Sequence, residues 1–190
     1  MESPVSSVTA AVRPFATWQT EAIVDYARDA AVRGDIETLS YCLGELSPGH
    51  RTGVLTAWLD IIEFGKSLGI TPVDWLEKAA EITRCFTPQT IGEHNLYIIL
   101  LSKPHKKDPG YALYVGETSK PPEVRYQEHV QGKRNRKGPL FSRVVHRFHK
   151  CLLPSLYEHL NPMSCPEAKK LEIVIAETLK HEGIPVFGGH

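Results

Sequence analysis

Residues 111–133 read YALYVGETSKPPEVRYQEHVQGK, and they contain most of the features that decide the fold of the C-terminal half. The run YALYV is rich in residues that favour β-strands. The two prolines that follow can begin a helix, and Gly132 can end it. In this helix Arg125 and His129 are four positions apart, so they share one face. The stretch therefore predicts a strand and then a helix that presents an arginine and a histidine together.

Other strand and helix patterns surround this stretch. LYIILL at residues 96–101 predicts a strand, HKCLLP at 149–154 a third, and IPVFGG at 184–189 could add an edge strand. A helix is predicted over 165–183, where Pro166 begins it and Gly183 ends it. We therefore predict an α+β domain at residues 95–190, with a small antiparallel three-stranded sheet flanked by helices.

The first half of the chain has helical periodicity instead. Four helices are predicted between residues 17 and 86: Gly34 ends the first, Asp35 caps the second, and Pro72 begins the fourth. These segments predict an all-α bundle. Residues 1–16 are expected to be disordered, and residues 87–94, which contain proline and glycine, are predicted to link the two parts.

The charge is unevenly distributed although the net charge of the chain is zero. Residues 1–92 carry a net of −5, whereas residues 120–150 carry a net of +7. A local basic block of this kind suits a polyanion, because each neutralised phosphate releases condensed counterions. A solvated basic face is the alternative. The block comprises Lys120, Arg125, Lys133, Arg134, Arg136, Lys137, Arg143, Arg147 and Lys150.

The sequence also indicates the compartment. The amino terminus lacks the basic and apolar segments of a signal peptide, and no apolar run reaches the length of a membrane span. The four cysteines are far apart and include no CxxC pair, which is typical of reduced thiols. We therefore expect an intracellular, cytoplasmic protein.

These features together resemble the GIY-YIG nuclease superfamily over residues 95–190. LYIILL, then YVG, then the Arg125–His129 pair and a late helix containing EAKKLE occur in the order of that superfamily. The resemblance implies an endonuclease that hydrolyses DNA phosphodiesters with one divalent metal ion, Mg²⁺ or Mn²⁺. Asn95 and Leu96 depart from the first motif. The implied catalytic residues are Tyr97, Tyr114, Arg125, His129 and Glu172, with Glu172 as the metal ligand and Gly116 in the second motif.

Phosphodiester hydrolysis requires an activated water and relief of negative charge in the transition state. Arg125 offers a permanent charge in a fork that matches phosphate oxygens, and Glu172 is a hard oxygen ligand. Because the pKa of a free histidine is near 6.5, these grounds favour His129 as the base or as the partner that deprotonates a tyrosine; a tyrosine base stays an alternative. Gly116 is expected to allow a sharp turn of the backbone or the close approach of a phosphate.

Several alternatives stay open at this point. Glu177 is the second choice for the metal ligand, and Glu167 lies on the same predicted helix. HRFHKC suggests a zinc site through His146, His149 and Cys151, to which Cys165 could be added, although the usual paired spacing is absent. The chain could also be a catalytically silent nucleic-acid-binding module, or an adaptor that acts through the helical bundle. RNA is not excluded as the substrate, and residues 17–86 could form a homodimer or bind a protein partner. The residues expected to bind nucleic acid are Lys120, Lys133, Arg134, Arg136, Lys137, Arg143 and Arg147.

Overall fold

The computed structural model describes residues 12–102, 110–134, 138 and 142–188. The chain divides into two compact units, the first ending at Glu81 and the second beginning at Ile82. Helices form the first unit, and the second combines helices with a sheet, so the protein is mixed α+β as predicted. No helix within the described ranges is long and apolar enough to cross a membrane.

The described part of the first unit includes α1 (Thr20–Arg33), α2 (Ile36–Glu45) and α3 (Leu55–Ser67), together with most of α4 (Leu76–Arg84). Gly34 ends α1 with a φ of 73°, in the left-handed region that glycine adopts readily. The Asp35 carboxylate accepts a hydrogen bond from the Thr38 amide at 3.0 Å and so caps α2. The fully buried core of this unit includes Ile23, Leu39, Leu46 and Ile61.

The start of α4 differs from the prediction. The helix begins at Leu76 and not at Pro72. The amide of Val73 donates to the Ser40 hydroxyl at 2.8 Å, and this long-range bond holds the preceding segment in a non-helical conformation. Of the segment predicted to be disordered, residues 1–11 lie outside the described residues, while Val12 and Phe15 are buried.

The second unit is built around β1 (Asn95–Ser102), β2 (Tyr111–Thr118), β3 (His149–Leu152) and β4 (Val186–Gly188). Its helices are α5 (Pro122–Val130), α6 (Arg143–Phe148) and α7 (Cys165–His181). The strand order is β3-β1-β2-β4. β1 pairs antiparallel with both β2 and β3, whereas β2 pairs parallel with β4.

The predicted antiparallel sheet of three strands is therefore wrong in strand number and in direction. Within the described ranges the sheet has four strands and is mixed, because α7 returns the chain beside β2 and the last strand then runs in the same direction as β2. The amide of Leu113 donates to the carbonyl of Pro185 at 2.8 Å at the start of this pairing. Three residues give too short a pattern for the sequence to reveal this strand's direction.

β1 forms the centre of the core of the second unit. All six residues at positions 96–101 are at most 3% exposed. Successive strand residues point to opposite faces, so both faces of β1 are covered. Helices α5, α6 and α7 all contact this strand. The sheet is consequently a rigid support for side chains that project from β1 and β2.

The segment predicted as a linker, residues 87–94, belongs to the second unit. The carboxylate of Glu167 accepts hydrogen bonds from the amides of Gln89 and Thr90, at 2.6 and 2.9 Å. The His94 amide donates to the carbonyl of Met163 at 3.0 Å. These contacts attach the segment to the first turn of α7 and to the residues before it.

Candidate active site

Two neighbouring strands place a pair of tyrosines at the centre of the site. Tyr97 on β1 pairs with Gly116 on β2, and Tyr114 lies two residues before Gly116, on the same face of β2. The ring centroids of Tyr97 and Tyr114 are 6.1 Å apart. Both tyrosines named from the sequence are therefore brought together by the register of one hairpin.

Gly116 makes room for the phenol of Tyr97. A Cβ at this position would lie 2.5 Å from Oη and 2.6 Å from Cζ of Tyr97, far inside van der Waals contact. The predicted sharp turn is wrong, because β2 continues through Gly116 to Thr118 in regular pairing with β1. The missing side chain allows the Tyr97 ring to lie over β2.

Helix α5 brings Arg125 and His129 to the two tyrosines. The hydroxyl of Tyr97 lies 2.9 Å from Nε2 of His129, and the His129 ring centroid is 5.7 Å from that of Tyr114. Tyr97 and His129 are each only 3% exposed, whereas Tyr114 and Arg125 are half-buried. The histidine therefore lies behind the tyrosine and away from solvent.

The surroundings of His129 favour its neutral form. Burial lowers its pKa most, the nearby Arg125 charge also lowers it, and the carboxylate of Glu128 opposes both effects; together they bring the pKa to about 4. Near pH 7 the imidazole is consequently neutral. In the tautomer protonated at Nδ1, its Nε2 can accept the Tyr97 hydroxyl proton.

Both tyrosines are held in the protonated form. Burial raises the pKa of Tyr97, and the adjacent Tyr114 raises it further, while Arg125 lowers it. Burial also raises the pKa of Tyr114, followed by the negative charge of Glu172. Hydrogen bonds link Tyr114 to Tyr97 and to Ser142, which extends the chain of hydroxyl groups that ends at His129. Neither phenol is therefore suited to act as a preformed phenolate near pH 7.

Glu172 is the acidic residue of α7 that acts on this cluster. It is half-buried, and its charge raises the pKa of both tyrosines, so its carboxylate lies within electrostatic reach of their hydroxyls. Glu167 instead binds the backbone of residues 89 and 90, and Glu177 is exposed. The three carboxylates predicted from the same helix thus have three different environments.

The donor chemistry at Glu172 fits a hard divalent cation. A single carboxylate can hold Mg²⁺ or Mn²⁺ when water and phosphate oxygens complete the coordination shell. Across the residues that the structure describes, no three His, Cys, Asp or Glu side chains cluster as a metal site. The zinc site suggested around His146 and His149 is therefore not found in the described part of the chain. Nδ1 of each ring lies within hydrogen-bonding distance of backbone carbonyls.

The basic block is divided between paired and exposed side chains. Lys120 and Lys133 both donate to Oε1 of Glu128, and Arg125 Nη1 donates to Oε2 at 3.1 Å. Arg143 and Arg147 are exposed on α6, and Arg134 Nη1 donates to the Gly138 carbonyl at 2.9 Å. Arg136 and Lys137, which were also predicted to bind nucleic acid, lie outside the described residues.

Two residues of the site were not identified from the sequence. Glu128 enters the net charge of residues 120–150 only as one negative charge, yet it is the common partner of three cations. Its position beside Arg125 on α5 was the available signal. Ser142 had no signal, because its hydrogen bond to Tyr114 depends on where the chain returns after α5.

Comparison with known proteins adds no relative to this description. No protein-family model matches the chain, and no curated protein or solved structure shows significant similarity to it.

Proposed function

We propose that this protein is a metal-dependent endonuclease that hydrolyses DNA phosphodiester bonds through a GIY-YIG-like active site in its second unit. The observation that carries the proposal is the buried contact between Tyr97 Oη and His129 Nε2 at 2.9 Å. Tyr114, Arg125 and Glu172 complete the cluster around this contact. An arginine, a carboxylate and a proton-accepting group are what hydrolysis of a phosphodiester requires.

The burial of the cluster supports a proton relay. A neutral His129 accepts the proton of Tyr97, which in turn takes up the proton of Tyr114 through the hydrogen bond between the two phenols. Tyr114, the less buried of the two tyrosines, takes a proton from the attacking water. Each phenol gives up one proton as it receives another, so their raised pKa values are no obstacle.

The remaining bonds change at the phosphate. The water oxygen forms a bond to phosphorus as the bond from phosphorus to the leaving oxygen breaks. The leaving oxygen takes a proton from solvent, and His129 later returns its proton to solvent. Arg125 neutralises charge on the non-bridging oxygens as it develops. A divalent cation held by Glu172 would supply Lewis-acid stabilisation of the same charge.

Cleavage of a supercoiled plasmid tests the proposal, because one nick converts the supercoiled form to the relaxed form. We expect nicking by the purified protein with Mg²⁺ or Mn²⁺ and none with EDTA. Arg125→Ala and Glu172→Ala are each expected to lower the nicking rate by on the order of 10³-fold. The matched controls are Arg28→Ala, exposed on α1, and Glu177→Ala, exposed on α7, which should retain wild-type rates.

The outcomes separate the alternatives. A folded wild-type protein that cuts neither plasmid nor branched DNA, yet binds DNA in a salt-dependent manner, would replace the enzyme with a silent binding module. Absence of salt-dependent binding would favour an adaptor that acts through the helices of the first unit.

A further inference from the structure

The carboxylate of Glu128 collects three cations at the edge of the candidate active site. Lys120 Nζ and Lys133 Nζ bind the same oxygen, Oε1, and Arg125 binds the other. Glu128 has a side chain only 6% exposed, whereas the side chains of Lys120 and Lys133 are 43% and 57% exposed. A buried acid therefore holds two solvent-facing ammonium groups close together.

The cluster has more positive charge than Glu128 can neutralise. Hydrogen bonds from Lys120 and then Lys133 lower the pKa of Glu128 to about 2, so the carboxylate is ionised near neutral pH. Lys120 and Lys133 share a single carboxylate oxygen, so the two accessible lysines keep a surplus of positive charge. Such a surplus attracts an anion, and a phosphate diester has several oxygens that can accept from both lysines.

Arg125 joins this cluster to the reacting groups. Its Nη1 binds Glu128, and its charge also lowers the pKa of both tyrosines and of His129. A phosphate bound at the lysines is therefore a neighbour of the phosphate that Arg125 contacts in the proposed reaction. Consecutive phosphates of one nucleic-acid strand have this relationship.

We propose that Lys120 and Lys133 form a subsite for a single backbone phosphate next to the one that is cleaved, and that Glu128 is the positioning residue that assembles it. The inference rests on the proposed function for the identity of the polyanion. Glu128 contacts no substrate in this arrangement. It fixes the two lysines and Arg125 in one geometry before nucleic acid binds. The lysine side chains therefore lose less conformational entropy when they bind a phosphate.

The number of phosphates is testable through the salt dependence of binding. Fluorescence anisotropy of a labelled DNA duplex, titrated at several salt concentrations in EDTA, gives the slope of log K against log salt without cleavage. If both lysines hold one phosphate, Lys120→Gln combined with Lys133→Gln should reduce the slope by about one. The matched control is Lys169→Gln with Lys170→Gln, two exposed lysines of α7, which should leave the slope unchanged.

The role of Glu128 is tested by a second pair of variants with equal net charge. Glu128→Gln and Glu123→Gln each remove one negative charge from α5, and Glu123 is exposed in its first turn. A positioning role predicts weaker DNA binding by Glu128→Gln than by Glu123→Gln. Tighter binding by Glu128→Gln would mean that the carboxylate only competes with phosphate, and would overturn this role.

The remaining outcomes are equally decisive. A wild-type slope for the Lys120 and Lys133 double variant, or a decrease of about two, would overturn the single-phosphate subsite. Wild-type protein that binds the duplex but does not nick a plasmid would refute the nuclease while leaving the subsite measurable. Wild-type protein that binds no nucleic acid would refute both. Urea unfolding of each variant verifies that a change in slope does not come from loss of folding.

Discussion

The hydroxyl of Tyr97 lies 2.9 Å from Nε2 of His129, and both side chains are almost completely buried. Direct attack on substrate by either group is therefore disfavoured in this arrangement. Proton transfer between them and Tyr114 is what their geometry supports. The pair also connects β1 with α5, so chemistry and packing depend on the same contact.

Tyr97→Phe should separate these two roles. The substitution keeps the ring in its place and removes the hydroxyl that carries a proton to His129 in the proposed relay, so we expect the nicking rate to fall by roughly 10²- to 10⁴-fold. The matched control is Tyr126→Phe, which removes a hydroxyl that donates to the Lys150 carbonyl at 2.9 Å. Equal nicking rates for wild type and Tyr97→Phe would exclude the relay.

The lowered pKa of His129 predicts how folding stability depends on pH. The folded protein holds this pKa near 4, below the ordinary value of 6.5. Between these two values the unfolded chain binds more protons, so the contribution of His129 is fully present above about pH 6.5 and is lost as the pH falls toward 4. Urea unfolding at pH 7 and pH 4.5 should show a smaller loss of stability for His129→Gln than for wild type. An identical loss would argue against a depressed pKa.

A kinetic consequence follows from the charges around His129. Arg125 lowers the pKa of His129, and a phosphate bound to Arg125 would offset that effect. In a plot of rate against pH, kcat/KM reports pKa values of the free enzyme and kcat those of the enzyme–substrate complex. The fall of kcat/KM on the acid side should therefore occur at lower pH than the fall of kcat. In His129→Gln, the residual kcat/KM and kcat should no longer show this decrease at acid pH. If kcat/KM and kcat of the wild type fell at the same pH, the phosphate would not lie beside Arg125.

The sequence revealed the elements of this site better than their contacts. Strand β2 and helix α5 were predictable because β-forming residues, two prolines and a glycine lie close together within residues 111–133. The pairing of Tyr97 with Gly116 was not, since register depends on which residues of two distant runs face each other. The true role of Gly116, as space for a phenol, follows only from that register.

The ion pairs around Glu128 also could not be predicted from the sequence. Helix spacing places Glu128 near Arg125, but Lys120 and Lys133 lie outside α5 on either side of it. The net charge of residues 120–150 does not show which lysines are already paired with a carboxylate. In the structure they share one carboxylate, because the chain before and after the helix turns toward the same end of the Glu128 side chain.

Gly116→Ala should disturb the fold and the site together. A Cβ would overlap the Oη and Cζ atoms of Tyr97, whose ring is fixed between β2 and His129. We expect a loss of about 1–3 kcal/mol in the free energy of unfolding and a reduced nicking rate. Gly44→Ala is the matched control: its Cβ would meet only the Glu77 carboxylate, at an ordinary 3.4 Å, in a helix where alanine is favoured. Comparable urea midpoints for the two variants would contradict the proposed overlap.

Glu172 and Glu167 allow metal dependence to be separated from stability on one helix. Glu172→Ala should lower the nicking rate by on the order of 10³-fold, because the carboxylate proposed to hold the cation is lost. Its urea midpoint should stay close to that of wild type, since Glu172 is only half-buried. A Mg²⁺ titration of the residual activity should require higher concentrations than wild type.

Glu167→Ala is expected to give the opposite combination. Its carboxylate binds the amides of Gln89 and Thr90, so its loss should detach that segment from α7 and lower the urea midpoint. The Mg²⁺ concentration for half-maximal nicking should not change, because the Glu167 carboxylate binds backbone amides, whereas Glu172 is the carboxylate whose charge raises the pKa of both tyrosines. If Glu167→Ala shifted the Mg²⁺ requirement while Glu172→Ala did not, the metal ligand would have to be reassigned to the first turn of α7.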